Sequence, residues 1–153
     1  MLARLNLRES TPLPRSSIVA DTHGLSMTSW SPQLLSILRI ITGFLFMEHG
    51  MQKWLGFPVP PPQPVTLASW GGAAGVFELV GGPLILIGLF TRPVAFVLSG
   101  VMACAYFIAH APGGFWPIVN RGELAALYSF VFLYLAAAGG GPWSVDRWLR
   151  GRS

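Results

Sequence analysis

The residues of this chain that could do chemistry are a few ionisable side chains that interrupt long apolar stretches. They are Arg39, His49, Lys53, Glu78, His110 and Glu123. Charged groups are rare inside apolar helices, and where they occur they face a bundle interior or a wet cavity. The set therefore predicts a polar cluster that handles protons or holds a ligand. The competing interpretation is a buried ion pair between Glu78 and either Arg39 or Lys53 that only fixes helix packing.

Two members of this candidate cluster have a local structural interpretation as well. Glu123 follows Asn120 at the spacing of a capping box, which predicts that the two residues begin a helix together. His110 precedes a Pro-Gly break and would then lie at a helix end. Structural and functional roles stay open for both, and for His49.

Other chemistries are disfavoured by residue types. Cys104 is the only cysteine, so the chain cannot form an internal disulfide or a dithiol pair. We find no Cys/His spacing of a zinc or iron–sulfur site, no haem ligand pair and no flavin motif. The sequence predicts no metal site and no covalent cofactor.

The elements that must position the cluster are membrane helices. Of 153 residues, 52% are hydrophobic and 10% charged, whereas a soluble domain carries about 25% charged residues. Only seven of the sixteen charged side chains lie between residues 34 and 138. A bilayer core needs about 20 mostly apolar residues per helix, so this composition predicts an integral membrane protein.

Four segments are long and apolar enough to cross the membrane, and they are separated by breaks of Gly and Pro. The predicted spans are 33–55, 67–90, 93–111 and 121–140, in an all-α four-helix bundle. The predicted domain covers residues 32–149, between a flexible cytoplasmic tail at 1–31 and a short tail at 150–153. Glycines at small-residue spacings predict close helix packing. They are Gly43, Gly50, Gly71, Gly75 and Gly82.

The distribution of arginine predicts the orientation. With four spans, seven arginines share one side of the membrane, and the other side has only Lys53 and Arg121 nearby. The positive-inside rule then places both termini in the cytoplasm.

Five short motifs, in order, resemble the DoxX family. Residues 39–53 resemble its first-helix pattern of an arginine followed by a Gly-x-x-Lys element. The other four matching segments are 77–82, 88–92, 122–124 and 141–146. The last segment resembles the family's GPG-x-x-S-x-D ending, with Trp143 in place of a third glycine. The resemblance covers about residues 34–149.

This resemblance implies a four-helix bacterial inner-membrane protein. Some members of the family are linked to quinone-coupled oxidation or to complexes that handle thiol and oxidative stress. The family pattern includes seven positions of this chain. Arg92 and Asp146 lie on the predicted cytoplasmic side, and the other five lie in the predicted spans: Arg39, Gly50, Lys53, Glu78 and Glu123. The resemblance implies quinone as the ligand and a redox protein as a partner. Composition makes the bilayer a partner, and a further copy of the chain is another candidate. The excess of arginine near the chain ends is interpreted as a topology signal and not as a nucleic-acid site.

Three functions follow as hypotheses. The first is a redox-associated membrane subunit, at most part of a quinone-linked oxidoreductase, with the electron-transfer centre on a partner. The second is a non-enzymatic scaffold or assembly factor. The third and weakest is a transporter of a small solute or protons, because four helices without an internal repeat are poorly suited to alternating access.

Overall fold

The computed structural model describes residues 27–151, and every regular element in that part of the chain is helical. The α-helices are α1 (Ser31–Leu55), α2 (Trp70–Ile87), α3 (Thr91–Ala105), α4 (Pro117–Asn120), α5 (Glu123–Ala138) and α6 (Val145–Arg150). A 3-10 turn, Met27–Trp30, precedes α1. A π-helical turn, Tyr106–His110, and a 3-10 turn, Ala111–Gly113, extend α3. The predicted all-helical class is confirmed for these residues.

Three helical segments are long and apolar enough to cross a membrane. They are Thr28–Leu55, Trp70–Ile87 and Thr91–Gly113. The fourth predicted span, 121–140, corresponds to α5, which has 16 residues. At a rise of 1.5 Å per residue, α5 is about 24 Å long, somewhat short of a hydrocarbon core of about 30 Å.

Glycines bring α1 and α2 into backbone contact. A Cβ placed on Gly43 would lie 2.5 Å from the Leu86 nitrogen, and one on Gly50 would lie 2.5 Å from the Leu79 nitrogen. From the other side, Gly82 packs against the backbone of Met47. The two helices therefore approach at a distance that only glycine permits.

The other two predicted packing glycines have different surroundings. Gly75 is buried against the side chains of Trp54 and Lys53. Gly71 is exposed, and a Cβ there would have only the Val65 side chain as a neighbour, at 4.0 Å. The close seam between α1 and α2 thus depends on Gly43, Gly50 and Gly82.

A second helix pair is formed by α3 and α5. Their serines exchange hydrogen bonds, because Ser99 Oγ donates to the Ser129 carbonyl (2.8 Å) and Ser129 Oγ donates to the Ser99 carbonyl (3.2 Å). Between the two pairs, α1 and α5 touch over only a short stretch. The main contact there is aromatic, with the Phe46 ring edge-on to Phe132 (centroids 4.8 Å apart). Space is left between the pairs on the side where α1 ends.

The capping box predicted at the start of α5 does not form. Gly122 is the N-cap, and no side chain caps the helix. The Asn120 side chain instead accepts from the Gly122 nitrogen and donates to the Gly114 carbonyl, both at 2.8 Å. The reason is the left-handed conformation of Arg121 (φ 59°), which turns the chain between Asn120 and the helix.

Parts of the predicted tails lie outside the described residues. These are residues 1–26 and 152–153, which include the predicted cytoplasmic arginines Arg4, Arg8, Arg15 and Arg152.

Candidate functional site

A two-point ion pair joins the middle of α2 to the last turns of α1. Lys53 Nζ lies 2.6 Å from Glu78 Oε1 and 2.7 Å from Glu78 Oε2. Glu78 is 4% exposed, whereas the Lys53 side chain keeps 26% of its surface accessible. The acid is therefore enclosed, while its base borders open space. Of the two partners considered for Glu78, the structure selects Lys53.

This pair borders a cavity of about 620 Å³ between the α1–α2 pair and the α3–α5 pair. The polar side chains in its lining are His49, Lys53, Glu78, His110, Arg121 and Tyr128. The rest of the lining is mainly apolar, apart from the Trp70 indole nitrogen and the Cys104 thiol. It includes many small residues, such as Ala74, Ala105 and Ala125. Small side chains on facing helices leave the volume unfilled. Four of the six candidate residues from the sequence are thus brought together around one space.

Tyr128 is a member of this lining that the sequence analysis did not select. It is buried, and its ring lies edge-on to both Phe46 (5.4 Å) and His49 (6.4 Å). Ala125, Phe132 and Leu135 are buried on the same face of α5. That spacing follows the helical repeat, so these residues form one inward-facing stripe of α5, and it distinguishes Tyr128 from the exposed Tyr134.

The far wall of the cavity is the distorted end of α3. The π-helical turn, Tyr106–His110, ends at His110, whose Nδ1 is 3.2 Å from the Asn120 carbonyl. The Tyr106 ring stacks on the imidazole at 6.5 Å. Single π turns are found frequently at functional sites, where they redirect a side chain. Here the turn carries His110 to the cavity.

The cavity opens on the molecular surface between α2 and α3. Phe77 of α2 and both Gly100 and Cys104 of α3 belong to its lining and are exposed. A Cβ built on Gly100 meets no neighbouring atom of the described residues within 4 Å. The position of Gly100 on α3 therefore borders open space at this opening.

Arg39 lies at the opposite end of α1 and serves a different purpose. Its side chain is fully buried, and it donates to the carbonyls of Gly140 (2.8 Å), Ile85 (2.6 Å) and Trp143 (2.7 Å), and to that of Leu86. These carbonyls belong to the last turn of α2 and to the loop between α5 and α6. Arg39 therefore ties three chain segments together, and it does not pair with Glu78.

The remaining predicted positions also lie away from the cavity. Glu123 is exposed at the start of α5 and is not part of the lining. Arg92 is exposed, and its Nη2 is 3.5 Å from the Ala138 carbonyl.

Asp146 caps the N-terminus of α3 from the neighbouring α6. Its carboxylate accepts from the backbone nitrogens of Phe90 and Thr91, both at 2.8 Å. Burial by itself raises the pKa of this carboxyl, but the hydrogen bonds from Thr91 and Phe90 and the nearby charge of Arg150 outweigh it. The pKa of Asp146 therefore lies below its ordinary value.

The arrangement suits an uncharged amphipathic molecule. Ligand pockets of 300–1,000 Å³ with apolar walls and a few convergent polar groups are the usual form of small-molecule sites. Lysine, imidazole and phenol groups can donate to a polar head, and the Glu78 carboxylate can accept from one. Within residues 27–151, no group of three His, Cys, Asp or Glu side chains is placed to hold a metal ion.

Comparisons with known proteins find relatives that match most of this chain. The chain is 41% identical to an uncharacterized protein of Haemophilus influenzae over 132 residues, which cover 79% of this chain and 94% of that protein. An uncharacterized membrane protein of Mycobacterium tuberculosis is 29% identical over 147 residues (80% and 85%). The inner membrane protein YphA of Escherichia coli is 29% identical over 132 residues (76% and 90%). No solved structure matches.

The DoxX family model matches residues 34–111, from α1 to the end of the π-helical turn. The matched segment carries Arg39, the Lys53–Glu78 pair and His110. The chain belongs to the DoxX family of membrane proteins.

Proposed function

We propose that the cavity binds a quinone and that the protein is a membrane subunit of a redox system whose electron carrier lies on a partner protein. The observation that carries the proposal is the convergence of His49, Lys53, Glu78, His110 and Tyr128 on one apolar cavity of about 620 Å³. A quinone head has two carbonyl oxygens that accept hydrogen bonds, and a quinol has two hydroxyls that donate them. The lining offers donors for the first form and the Glu78 carboxylate as an acceptor for the second.

The chemical contribution of this chain would be binding and proton handling. Quinone reduction takes up two electrons and two protons, and a partner dehydrogenase would supply the electrons. Imidazole is the side chain best suited to exchange protons near neutral pH, and both His49 and His110 line the cavity. The Lys53 ammonium would stabilise negative charge on a partly reduced head.

The same proposal includes four membrane spans with both termini in the cytoplasm of a bacterium. Asp146 of α6 contacts the turn that precedes α3, which brings Arg92, Arg147 and Arg150 to one end of the molecule. Basic residues gathered at one end support a cytoplasmic location for that end. The relative in Escherichia coli is named an inner membrane protein, which supports the inner membrane. The cavity would then lie in the outer half of the bilayer and open to lipid.

Retention of quinone by the purified protein tests this proposal. The protein would be extracted from bacterial membranes in mild detergent, and bound quinone would be measured by mass spectrometry. We expect Glu78→Gln to abolish retention and Glu123→Gln to leave it unchanged. The control carries the same chemical change at an acid outside the cavity. Equal retention by both variants would remove Glu78 from the site.

The structure also offers support for a non-enzymatic scaffold. Lys53 and Glu78 satisfy each other through two short contacts, as a purely structural pair would. In that case Glu78→Gln would mainly lower stability, and joint replacement of Lys53 and Glu78 would restore it. A double-mutant cycle on the free energy of unfolding, with quinone retention measured on the same four proteins, separates the two functions.

A further inference from the structure

A second, wholly apolar groove runs along the seam between α2 and α3. It has a volume of about 370 Å³, and its walls include Val80 and Leu84 of α2 and Val94 and Val97 of α3. None of the residues that line it has a polar side chain. The groove therefore suits a hydrocarbon segment and offers nothing to a polar head.

Phe77 lies on the border between this groove and the polar cavity. The residue lines both spaces, and it is 44% exposed. From Phe77 the groove extends along α2 to Leu84, a helix length of about 10 Å at 1.5 Å per residue. The two spaces thus follow one another along the same seam, with the polar groups at one end.

We propose that this seam binds a long-tailed amphiphile, with the polar head in the cavity and the tail passing Phe77 into the α2–α3 groove. The inference rests on the proposed function and narrows it, because it selects quinones with a long isoprenoid tail over short-tailed ones. It also assigns the route of entry. The ligand would slide in from the bilayer through the opening beside Gly100, with its tail already aligned with the helices.

The tail should contribute modestly to affinity. Lipid chains are as apolar as the groove, so no hydrophobic gain accompanies the transfer of a tail from bilayer to protein. What remains is the dispersion contact between a shaped groove and a fitting chain, which is small per atom and adds up along the tail. We therefore expect about a fivefold to tenfold preference for the long-tailed ligand.

Variants that fill the groove test the inference. The protein would be placed in phosphatidylcholine nanodiscs and titrated with two fully substituted benzoquinones, one with a single isoprenoid unit and one with a long tail. Affinities would be expressed per mole of lipid, because both compounds partition into the bilayer. Val80→Trp and Val97→Trp would fill the groove from opposite walls. Ile41→Trp, on an exposed position of α1 outside both spaces, is the matched control.

In the unmodified protein we expect the long-tailed quinone to bind about fivefold to tenfold more tightly. Each groove variant should remove that preference while short-tail binding stays unchanged, and Ile41→Trp should preserve it. Equal binding of the two quinones by the unmodified protein, or a preference that survives both tryptophans, would overturn the groove and leave the cavity standing. Failure of both quinones to bind the unmodified protein would instead overturn the proposed function.

Discussion

Two basic residues on α1 lie toward opposite ends of the helix and differ in how their charges are accommodated. Arg39 is fully buried and donates to four backbone carbonyls at the α2 terminus and the α5–α6 loop. Lys53 contacts one carboxylate and borders a cavity of about 620 Å³. Both groups are polar residues in apolar helices, yet only Lys53 has unoccupied space beside it. All the hydrogen bonds of Arg39 go to backbone carbonyls in a closed site, which is a structural role. Lys53 borders the cavity, where the proposed ligand would bind.

A second contrast is between the glycines of the α1–α2 seam and the glycine at the opening of the cavity. At the closed seam, Gly43 and Gly50 let the α2 backbone approach to contact distance. At the cavity, Gly100 faces open space. The same residue type thus brings helices together at the α1–α2 seam and leaves open space at the cavity.

The largest effect is expected from Arg39→Met. The change would remove the side-chain donors of four carbonyls, of which, within the described part of the chain, only that of Ile85 keeps a bond from the Gly88 nitrogen. We expect a loss of about 3–5 kcal/mol in the free energy of unfolding. Arg39→Lys should recover only part of it, since a single ammonium cannot reproduce the planar fork. Denaturant titration in mixed micelles measures both. A stable Arg39→Met variant would contradict the structural role.

The next effect separates the two kinds of glycine. Gly50→Ala places a Cβ 2.5 Å from the α2 backbone, and the forced separation should destabilise the protein by about 1–3 kcal/mol. Gly100→Ala, the matched control on α3, should be neutral or slightly stabilising, because alanine favours helix. Thermal unfolding in detergent compares them. Equal melting temperatures for the two variants would show that the α1–α2 seam tolerates a side chain at Gly50.

A moderate effect is expected at the ion pair. Lys53→Met leaves the enclosed Glu78 carboxylate without its base, and a double-mutant cycle with Glu78→Gln should give a coupling of about 1–3 kcal/mol. The coupling should be moderate because the Lys53 side chain keeps 26% of its surface accessible beside the cavity and is therefore only partly enclosed with Glu78. Coupling of Glu78 to Arg39 should be negligible in the same assay. A large Arg39 coupling would indicate that the two sites act together.

The smallest effect belongs to Asp146, which caps α3. Asp146→Ala should cost about 1 kcal/mol at neutral pH, because two backbone nitrogens lose their acceptor. Glu123→Ala, which removes an exposed acid that caps nothing, is the control.

The pH dependence of the Asp146 effect has a definite sign. The folded-state pKa lies below the ordinary value, so the stabilisation is complete above about pH 4, the unfolded value. It is lost as the pH falls through the folded pKa. The difference between the two proteins should therefore shrink below about pH 4. A difference that grows in acid would contradict the assigned hydrogen bonds.

Much of the helical framework could be predicted from composition and from Gly and Pro breaks. Apolar composition determines which segments are stable in lipid, and Gly and Pro determine where a helix ends. The start of α5 could not, since the left-handed turn at Arg121 has no sequence pattern of its own. Glu78 was identifiable as a charged residue in an apolar helix. The base that pairs with Glu78 was not identifiable, because Arg39 and Lys53 share a face of α1. Only the axial register between α1 and α2 determines which of the two lies beside Glu78.

The rest of the site depends on features that a sequence does not display. The partners of Arg39 are backbone carbonyls, which every residue has. The cavity is a volume left by small residues such as Gly100 and Ala125, and it exists only once the helices are packed. Tyr128, like Tyr106 and Tyr134, is flanked by apolar residues in the sequence. Its position on the buried face of α5 is what distinguishes it.

Occlusion of the cavity by Gly100→Leu tests the central claim most directly. The new side chain would project into the space beside Gly100, where no neighbouring atom of the described residues lies within 4 Å, so the fold should be kept. Affinity for a short-tailed quinone would be measured in phosphatidylcholine nanodiscs, with the melting temperature recorded on the same sample. We predict at least a tenfold loss of affinity, equivalent to about 1.4 kcal/mol, with an unchanged melting temperature. Unchanged affinity in the folded variant would contradict quinone binding at this opening of the cavity.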